Sequence, residues 1–516
     1  MTITSLYFLI FTVAAAALYY ITPVKKQWMT LLFLSVVFYC LSAAPFTIIF
    51  VLLSTVTAYF SSMYISGGNP AVSGQDKNRS RVIALAVIFN VLLWFICKGS
   101  AYWIQPLSFL HARIPALPGA PSVSIPAALG MSYYTCQVIG YLLDCYWGTA
   151  KPQKNFFKLF LFLLFFPQLT TGPISRYNDL QTIYDGRPFD ISKIERGAQR
   201  ILWGFFKKLV LAERISLIVN TVDNNDRFSG VWLWAALLIY PMQLYSDFSG
   251  SVDIVLGLAE VFGIDLPENF NNPLMSTTSQ EFWQRWHMTL GNWAKDYIMY
   301  PVLKNEKTLA LSSLAKKKFG KRAGKLVSLG IGMFFTWLVM GIWHGNYKYI
   351  LGCGIYYYII MLSYEALSPV LKRINRFLNV NEQAFSWVLF KRIRTYFVLC
   401  VYMVFFRADG ISGAFSMLKD LALSLHPSNF NLWSLFNGSF TETSLSLTDL
   451  NIIVISLLLL LLAALMREKC GHARDWISSQ GLVFRWISWA GLFVLVIVFG
   501  KYGPGYHTAD FIYQGF

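Results

Sequence analysis

Long uncharged apolar runs constrain this chain more than any other feature of its sequence. Residues 326–343 form one such run of 18 residues without a charged side chain. A helix needs about 20 mostly apolar residues to cross the hydrocarbon core of a bilayer. Charged residues make up only 13% of the 516 residues, whereas a soluble domain carries about 25%. We therefore predict an all-α protein that crosses the membrane several times.

The apolar runs also predict where the membrane helices lie. They are continuous rather than alternating, which favours helices over a β-barrel. The candidate runs are residues 4–22, 28–45, 46–65, 82–97, 124–146, 155–172, 198–220, 231–262, 327–343, 346–369, 394–406, 450–466 and 484–500. Because some of these runs are short enough to be broken or re-entrant, we expect about 11 spanning helices. The first run lacks the flanking signals of a cleaved signal peptide, so we predict a membrane helix there.

The chain shows no internal repeat and no low-complexity tract. We predict a single membrane domain over residues 1–516. Within it we expect N-terminal helices at 1–98, a catalytic core at 124–369 and C-terminal helices at 394–516.

Basic residues cluster between the apolar runs and account for a net charge of +17. The richest segment, 304–325, contains eight lysines and arginines, whereas 99–123 and 408–449 contain few. Cytoplasmic loops carry an excess of basic residues, so we predict that 304–325 is cytoplasmic and that the N-terminus lies outside. No nucleic-acid-binding module accompanies this charge, which argues against a nucleic-acid partner.

His344 follows the uncharged run 326–343, so we expect it at or near the depth of the hydrocarbon. An ionisable side chain there is costly and commonly functional. Gly341 and Gly345 are four residues apart, a spacing that lets a helix or a ligand approach closely. Position alone leaves two interpretations open: a functional histidine, or one that ends a helix at the membrane interface.

A second histidine, His287, occurs in the segment 278–297, which has the pattern of an amphipathic helix. Thr278 and Glu281 have the spacing of a capping box, which predicts a helix start. At about 100° per residue the apolar side chains form one arc, with His287 at its edge. The tryptophans of this arc are Trp283, Trp286 and Trp293. We expect a helix in the membrane plane with these tryptophans buried, either as part of a site or as a plain surface anchor.

Asp247 and Asp253 lie inside the apolar run 231–262. Buried carboxylates need partners, which can be a cation, a histidine or backbone donors. Asp247 could orient an imidazole, or it could satisfy a helix broken near Ser249 and Gly250. The sequence leaves both roles open.

Other chemistry has little support. The chain contains no glycine-rich phosphate loop, no HExxH motif and no CxxC pair, and its histidines lack the spacing of metal ligands. We therefore expect no metal and no resident cofactor.

Several motifs taken together resemble the membrane-bound O-acyltransferase family. Within it, the alginate O-acetylase branch is most similar, and that branch is related to the D-alanyl transfer proteins of Gram-positive walls. The motifs occupy residues 129–137, 141–144, 166–174, 245–250, 266–270, 282–288, 340–345 and 511–513. They include FWQRWHM around His287 and MGIWHG around His344. One difference is YPVLKN at 300–305, where this branch usually has a Pro-Leu-Gly-Gly turn.

The resemblance implies spanning, in-plane and re-entrant helices around a central tunnel, where an acyl group passes from a thioester to a hydroxyl. It implies that His344 is the catalytic histidine and that His287 is its partner. A neutral imidazole at His344 can take the proton of a hydroxyl, which is otherwise a weak nucleophile. The oxyanion then needs a donor, such as His287 or a backbone N–H. We expect supporting positions along the tunnel at Asp247, Trp286, Trp343 and Gly345.

The resemblance also implies a donor, a partner and a location. The donor is a cytoplasmic thioester, acetyl-coenzyme A or an acyl carrier protein, and the basic residues of 304–325 could attract its phosphates. The acyl group, an acetyl group in this branch, crosses the cell membrane through the enzyme. A secreted or membrane-anchored acyltransferase outside then places it on a polysaccharide or wall polymer.

Two other classes of protein share the hydropathy and charge of this chain. One is a transporter of polysaccharide or lipid-linked precursors, and the other is a scaffold that docks an export complex. Neither needs a histidine for its function, so loss of His344 separates both from an acyltransferase.

The predicted orientation can be tested by cysteine labelling of intact cells. In a chain without its seven native cysteines, Ser312→Cys should react with an impermeant thiol reagent only after the cells are permeabilised, because 304–325 is predicted to be cytoplasmic. Ser428→Cys, in the segment poor in basic residues, serves as the control and should react from outside. Reaction of Ser312→Cys from outside would overturn the orientation.

Overall fold

The computed structural model describes residues 1–66, 77–98, 128–223, 230–345, 347–426 and 445–502, together with isolated positions between these ranges. Within these ranges the regular structure is helical, apart from one isolated β-bridge between Phe270 and Trp286. The predicted all-α class is therefore confirmed. The predicted C-terminal motif at 511–513 lies outside the described residues.

The chain divides into two compact units. The first contains Met1–Ile201 and Ser251–Glu268, and the second contains Leu202–Gly250 and the described residues from Asn269 onward. Two helices, Ile191–Phe205 and Val231–Val261, contribute to both units. Two of the boundaries thus fall within helices, and the third, between Glu268 and Asn269, falls in a non-helical stretch.

The first unit is built from helices. Apart from the two shared helices, its helices are Leu6–Ile21, Gln27–Ser42, Ile48–Ser66, Lys77–Cys97, Met131–Trp147, Phe156–Leu164, Phe166–Leu169 and Tyr177–Leu180. The predicted run 155–172 is one of the broken runs, because the helix stops at Leu164 and a new one begins just before Pro167. Proline cannot continue a helix without losing a backbone hydrogen bond.

The second unit contains both candidate histidines. Its helices are Glu213–Asp223, Ser279–Arg285, Met288–Ala294, Tyr300–Lys304, Glu306–Phe319, Lys321–Trp343, Tyr347–Tyr349, Tyr357–Phe377, Phe385–Arg407, Gly410–Leu423, Leu447–Cys470, Ala473–Ser478 and Leu482–Phe499. Three π-helical segments join some of these helices, namely Phe206–Ala212, Lys295–Met299 and Ile350–Tyr356.

Seven helical segments in the described part of the chain are long and apolar enough to cross a membrane, by length and composition. They are Val24–Ser42, Pro45–Ser66, Lys77–Cys97, Lys321–Trp343, Tyr347–Phe377, Leu447–Cys470 and Leu482–Phe499. The larger number of spans expected from the sequence stays a prediction. So do the in-plane orientation and the side of the membrane on which each loop lies.

A buried ion pair lies inside the second unit. The ammonium of Lys208 pairs with the carboxylate of Asp247, and both side chains are buried. Next to it, Lys207 Nζ donates a hydrogen bond of 2.8 Å to Ser249 Oγ. The two lysines belong to the predicted span 198–220. Two adjacent bases inside an apolar run are a sequence signal from which a buried ion pair could be predicted.

The sequence allowed a cation, a histidine or backbone donors as partners of Asp247, and the structure shows a cation, the ammonium of Lys208. The other suggestion, a helix broken near Ser249 and Gly250, is wrong, because the helix runs unbroken from Val231 to Val261. Gly250 instead permits a close approach between helices. A Cβ atom there would lie 2.9 Å from the carbonyl oxygen of Gly204, closer than side-chain carbons pack.

The buried pair makes a prediction about stability. Lys208→Met should lower the free energy of unfolding by about 3–5 kcal/mol, because it leaves the Asp247 carboxylate buried without its cation. The double change Lys208→Met with Asp247→Leu should recover most of this loss, since no buried charge remains. Thermal unfolding of the purified protein measures both.

A matched control is the pair of Lys325 and Glu365 near the surface, in which the ammonium and carboxylate lie 3.1 Å apart and the lysine side chain is 73% exposed. Lys325→Met should change the free energy of unfolding by less than about 1 kcal/mol. Equal losses from Lys208→Met and Lys325→Met would contradict the role given to burial.

Candidate active site

The segment 278–297, predicted as one amphipathic helix, is two short helices with a break at His287. The first helix begins where the capping pattern predicted it, because Thr278 Oγ1 accepts a hydrogen bond of 3.1 Å from Glu281 N. The Glu281 carboxylate accepts from Thr277 N and Oγ1 and not from Thr278. This helix ends at Arg285 and the next begins at Met288. The prediction of one continuous helix is therefore wrong.

The break exists because another segment pairs with this stretch of backbone. Met288 N donates a hydrogen bond of 2.9 Å to Asn269 O, and Asn271 N donates one of 2.9 Å to Arg285 O. These bonds flank the antiparallel bridge between Phe270 and Trp286. His287 has a left-handed backbone, with φ 45° and ψ 51°, a conformation that is uncommon for residues other than glycine. A count of helical periodicity within 278–297 could not reveal a partner at 269–271.

His287 is buried between polar and aromatic neighbours. Its Nδ1 lies 3.1 Å from Asn269 Oδ1. Its ring centroid lies 5.0 Å from that of Phe248 and 6.1 Å from that of Trp343, both in edge contacts. Because only 3% of His287 is exposed, its environment favours the neutral imidazole.

The predicted tryptophan face is only partly buried. Trp286 is buried, and its ring packs against those of Phe270 and Phe282, with centroids 5.1 Å and 5.4 Å away. Trp283 and Trp293 are half-buried. The buried ring of Trp286 therefore stabilises the backbone next to the helix break at His287.

His344 ends the helix Lys321–Trp343, as one interpretation of the sequence proposed, and it is also buried, with 5% exposed. Its imidazole packs among Trp343, Tyr349 and Phe406, with centroid distances of 5.1, 5.6 and 5.8 Å. Gly345 follows with φ 86°, which turns the chain away from the helix at a position where glycine has no steric cost.

The indole of Trp343 contacts both imidazoles. The structure therefore brings together the two histidines that the sequence singled out, although 57 positions separate them in the chain. Buried neutral imidazoles in apolar surroundings can accept a proton from a hydroxyl. Among the other expected positions, Trp286, Trp343 and Gly345 lie next to one of the two histidines.

Asp247 is connected to the site through its own helix. At about 100° per residue, Gly250 and Phe248 lie on nearly opposite faces. Gly250 faces Gly204 and Lys208, while Phe248 contacts His287. The ion pair of Asp247 and Lys208 therefore anchors the helix that presses Phe248 against His287.

Comparison with known proteins identifies the class. The membrane-bound O-acyltransferase family matches residues 153–407, a stretch that contains both histidines. The chain belongs to this family, as its motifs predicted, and is an O-acyltransferase of the membrane.

Individual relatives resemble most of the chain. The probable alginate O-acetylase AlgI of Pseudomonas aeruginosa is 26% identical over 445 residues, 84% of this chain and 75% of that protein. The teichoic acid D-alanyltransferase of Bacillus subtilis is 29% identical over 298 residues, 56% of this chain and 70% of that protein. The peptidoglycan O-acetyltransferase of Helicobacter pylori is 25% identical over 367 residues, 66% of this chain and 62% of that protein.

The turn that carries His344 depends on close packing at Gly341. A Cβ atom there would lie 2.8 Å from Ile350 Cα and 2.9 Å from Tyr349 O. Since both atoms belong to the backbone, Gly341→Ala must push the two segments apart. Overpacking of this kind costs about 1–3 kcal/mol, so we expect a lower unfolding temperature and reduced acyl transfer.

Gly491→Ala is the matched control for this prediction. Gly491 lies within the helix Leu482–Phe499, and a Cβ atom there would meet no other atom within 4 Å. Because alanine favours a helix over glycine, this variant should unfold at the same or a higher temperature. A normal unfolding temperature for Gly341→Ala would show that the two segments can separate freely.

Proposed function

We propose that this protein takes an acyl group from a thioester at the cytoplasmic face and passes it across the membrane for O-acylation of an extracellular polysaccharide or wall polymer. The names of its relatives support the substrate class, since they describe acetyl transfer to alginate and to peptidoglycan and D-alanyl transfer to teichoic acid. Acetyl is the acyl group we favour, because the relative that covers most of the chain among these three is an acetylase.

One observation carries the proposal: two buried histidines share the indole of Trp343 inside the stretch that matches the family. Burying an imidazole in an apolar region costs free energy, and ionisable residues found there commonly have a function. An acyltransferase has a direct use for such a pair, with one imidazole as the base, and an assay of acyl transfer separates it from a transporter or a scaffold.

The proposed reaction uses His344 as a general base. The acceptor hydroxyl oxygen attacks the thioester carbonyl carbon while His344 takes the hydroxyl proton. The resulting tetrahedral oxyanion collapses as the carbon–sulfur bond breaks. The proton then passes from His344 to the departing sulfur, so that an ester and a free thiol leave and the imidazole is neutral again.

The donor, the partner and the location are parts of the same proposal. Acetyl-coenzyme A or an acyl carrier protein supplies the thioester from the cytoplasm, and the basic segment 304–325 faces that side. The N-terminus lies outside the cell membrane. A secreted or membrane-anchored acyltransferase receives the acyl group there, and no metal or resident cofactor takes part.

Loss of the base should abolish most of the activity. His344→Ala should lower turnover by about 10²–10⁴-fold, the usual contribution of general-base assistance. His344→Gln should be nearly as inactive, because an amide keeps the approximate shape but cannot take the proton. The measurement is acyl transfer from a labelled thioester by purified variants in lipid, at matched expression.

His426→Ala is the control, because His426 is exposed near the end of the helix Gly410–Leu423 and should transfer acyl groups normally. Unfolding temperatures should be similar for all three variants if His344 acts in chemistry rather than in folding. Near-normal transfer by His344→Ala would favour the transporter or scaffold interpretation and remove the proposed mechanism.

A further inference from the structure

The side-chain amide of Asn269 has only one orientation that satisfies its neighbours. Asn269 is fully buried. Its Oδ1 lies 3.2 Å from the backbone nitrogen of Thr289 and 2.9 Å from Thr289 Oγ1. A backbone N–H can only donate a hydrogen bond, so the amide atom that faces it must be the oxygen.

That orientation determines which nitrogen of His287 carries a proton. The Nδ1 atom of His287 lies 3.1 Å from the same Asn269 oxygen. An amide oxygen can only accept, so Nδ1 must donate and must hold the hydrogen. A neutral imidazole has one N–H group. The other nitrogen, Nε2, therefore has a lone pair and no hydrogen.

This orientation of the Asn269 amide costs free energy at its own NH₂ group. Among the described residues, the Asn269 Nδ2 group has no hydrogen-bond acceptor, although it is buried. A buried donor without a partner costs about 1–3 kcal/mol. Turning the amide around would place its NH₂ group against the N–H of Thr289, so that two donors would face each other. The cost of the buried NH₂ group therefore comes with the orientation in which the Asn269 oxygen accepts from both Thr289 and His287.

We infer that Asn269 is a positioning residue that holds neutral His287 in the tautomer with its proton on Nδ1 and its lone pair on Nε2. This inference rests on the proposed function, because it assigns a role to His287 within the same site. It makes His287 a hydrogen-bond acceptor at Nε2 in the resting enzyme.

The tautomer restricts what His287 can contact in a bound substrate. Neutral His287 cannot supply a hydrogen bond from Nε2 to a thioester oxyanion, the role considered from the sequence. The group that meets Nε2 must itself be a donor, and the acceptor hydroxyl is such a group. The donor to the oxyanion is then another N–H group of the site.

The tautomer can be read directly by nitrogen NMR of the full-length protein in lipid, labelled with ¹⁵N at histidine. Protonated and unprotonated ring nitrogens have well-separated chemical shifts, and the His287→Gln spectrum identifies the signals of this residue among the six histidines. Spectra are recorded well above the ordinary imidazole pKa of about 6.5, so that the rings are neutral.

The wild-type protein should show a protonated Nδ1 and an unprotonated Nε2 at His287. Asn269→Ala should lose this pattern, because the ring then has no fixed acceptor at Nδ1. Asn269→Asp should keep it, because a carboxylate oxygen also accepts from Nδ1. Thr289→Val should keep it too, since the backbone N–H of residue 289 and the Asn269 oxygen both remain.

A wild-type spectrum with the proton on Nε2 would overturn the inference, whether or not any variant folds. A wild-type pattern that persists in Asn269→Ala would overturn the positioning role of Asn269. Because the spectra require no acyl transfer, their outcome is separate from the His344→Ala assay. Failure of the inference and failure of the proposed function can therefore be distinguished.

Discussion

The hydrogen bonds between residues 269–271 and 285–288 are the constraint on which the site depends. Buried backbone groups must find partners, and at the helix break around His287 those partners come from a segment earlier in the chain. The pairing forces His287 into its left-handed backbone and places Asn269 at its ring. One set of backbone bonds thus decides where the helix stops, which way the imidazole faces and what it can bind.

A second constraint acts from the other side of the helix Val231–Val261. The ion pair of Lys208 with Asp247 and the close contact at Gly250 hold one face of this helix. Its nearly opposite face carries Phe248, which contacts His287. Charge burial is expensive in apolar surroundings, so the helix has a strong preference for the position that keeps the pair together. The position of His287 is therefore supported by electrostatics as well as by hydrogen bonds.

The sequence predicted the features that depend on composition and on local pattern. The uncharged run 326–343 indicated both the helix and the buried histidine at its end, and Thr278 with Glu281 indicated a helix start. The motifs around His287 and His344 predicted the family. The sequence did not predict the break at His287 or the partner of Asp247, because both depend on segments that are distant in the chain. Asn269 lies within the motif at residues 266–270, but its role can be recognised only from the distances to Thr289 and His287.

The π-helical segment Phe206–Ala212, which contains Lys207 and Lys208, has a consequence for evolution. A π-helix bonds residue i to i+5 and not to i+4, so the segment has room for one residue more than an α-helix of the same length. Loss of that residue in a related chain would turn everything on one side by about 100° relative to the other. The counterparts of these lysines in relatives are therefore found by their place beside the helix of Asp247, and not by counting along an alignment.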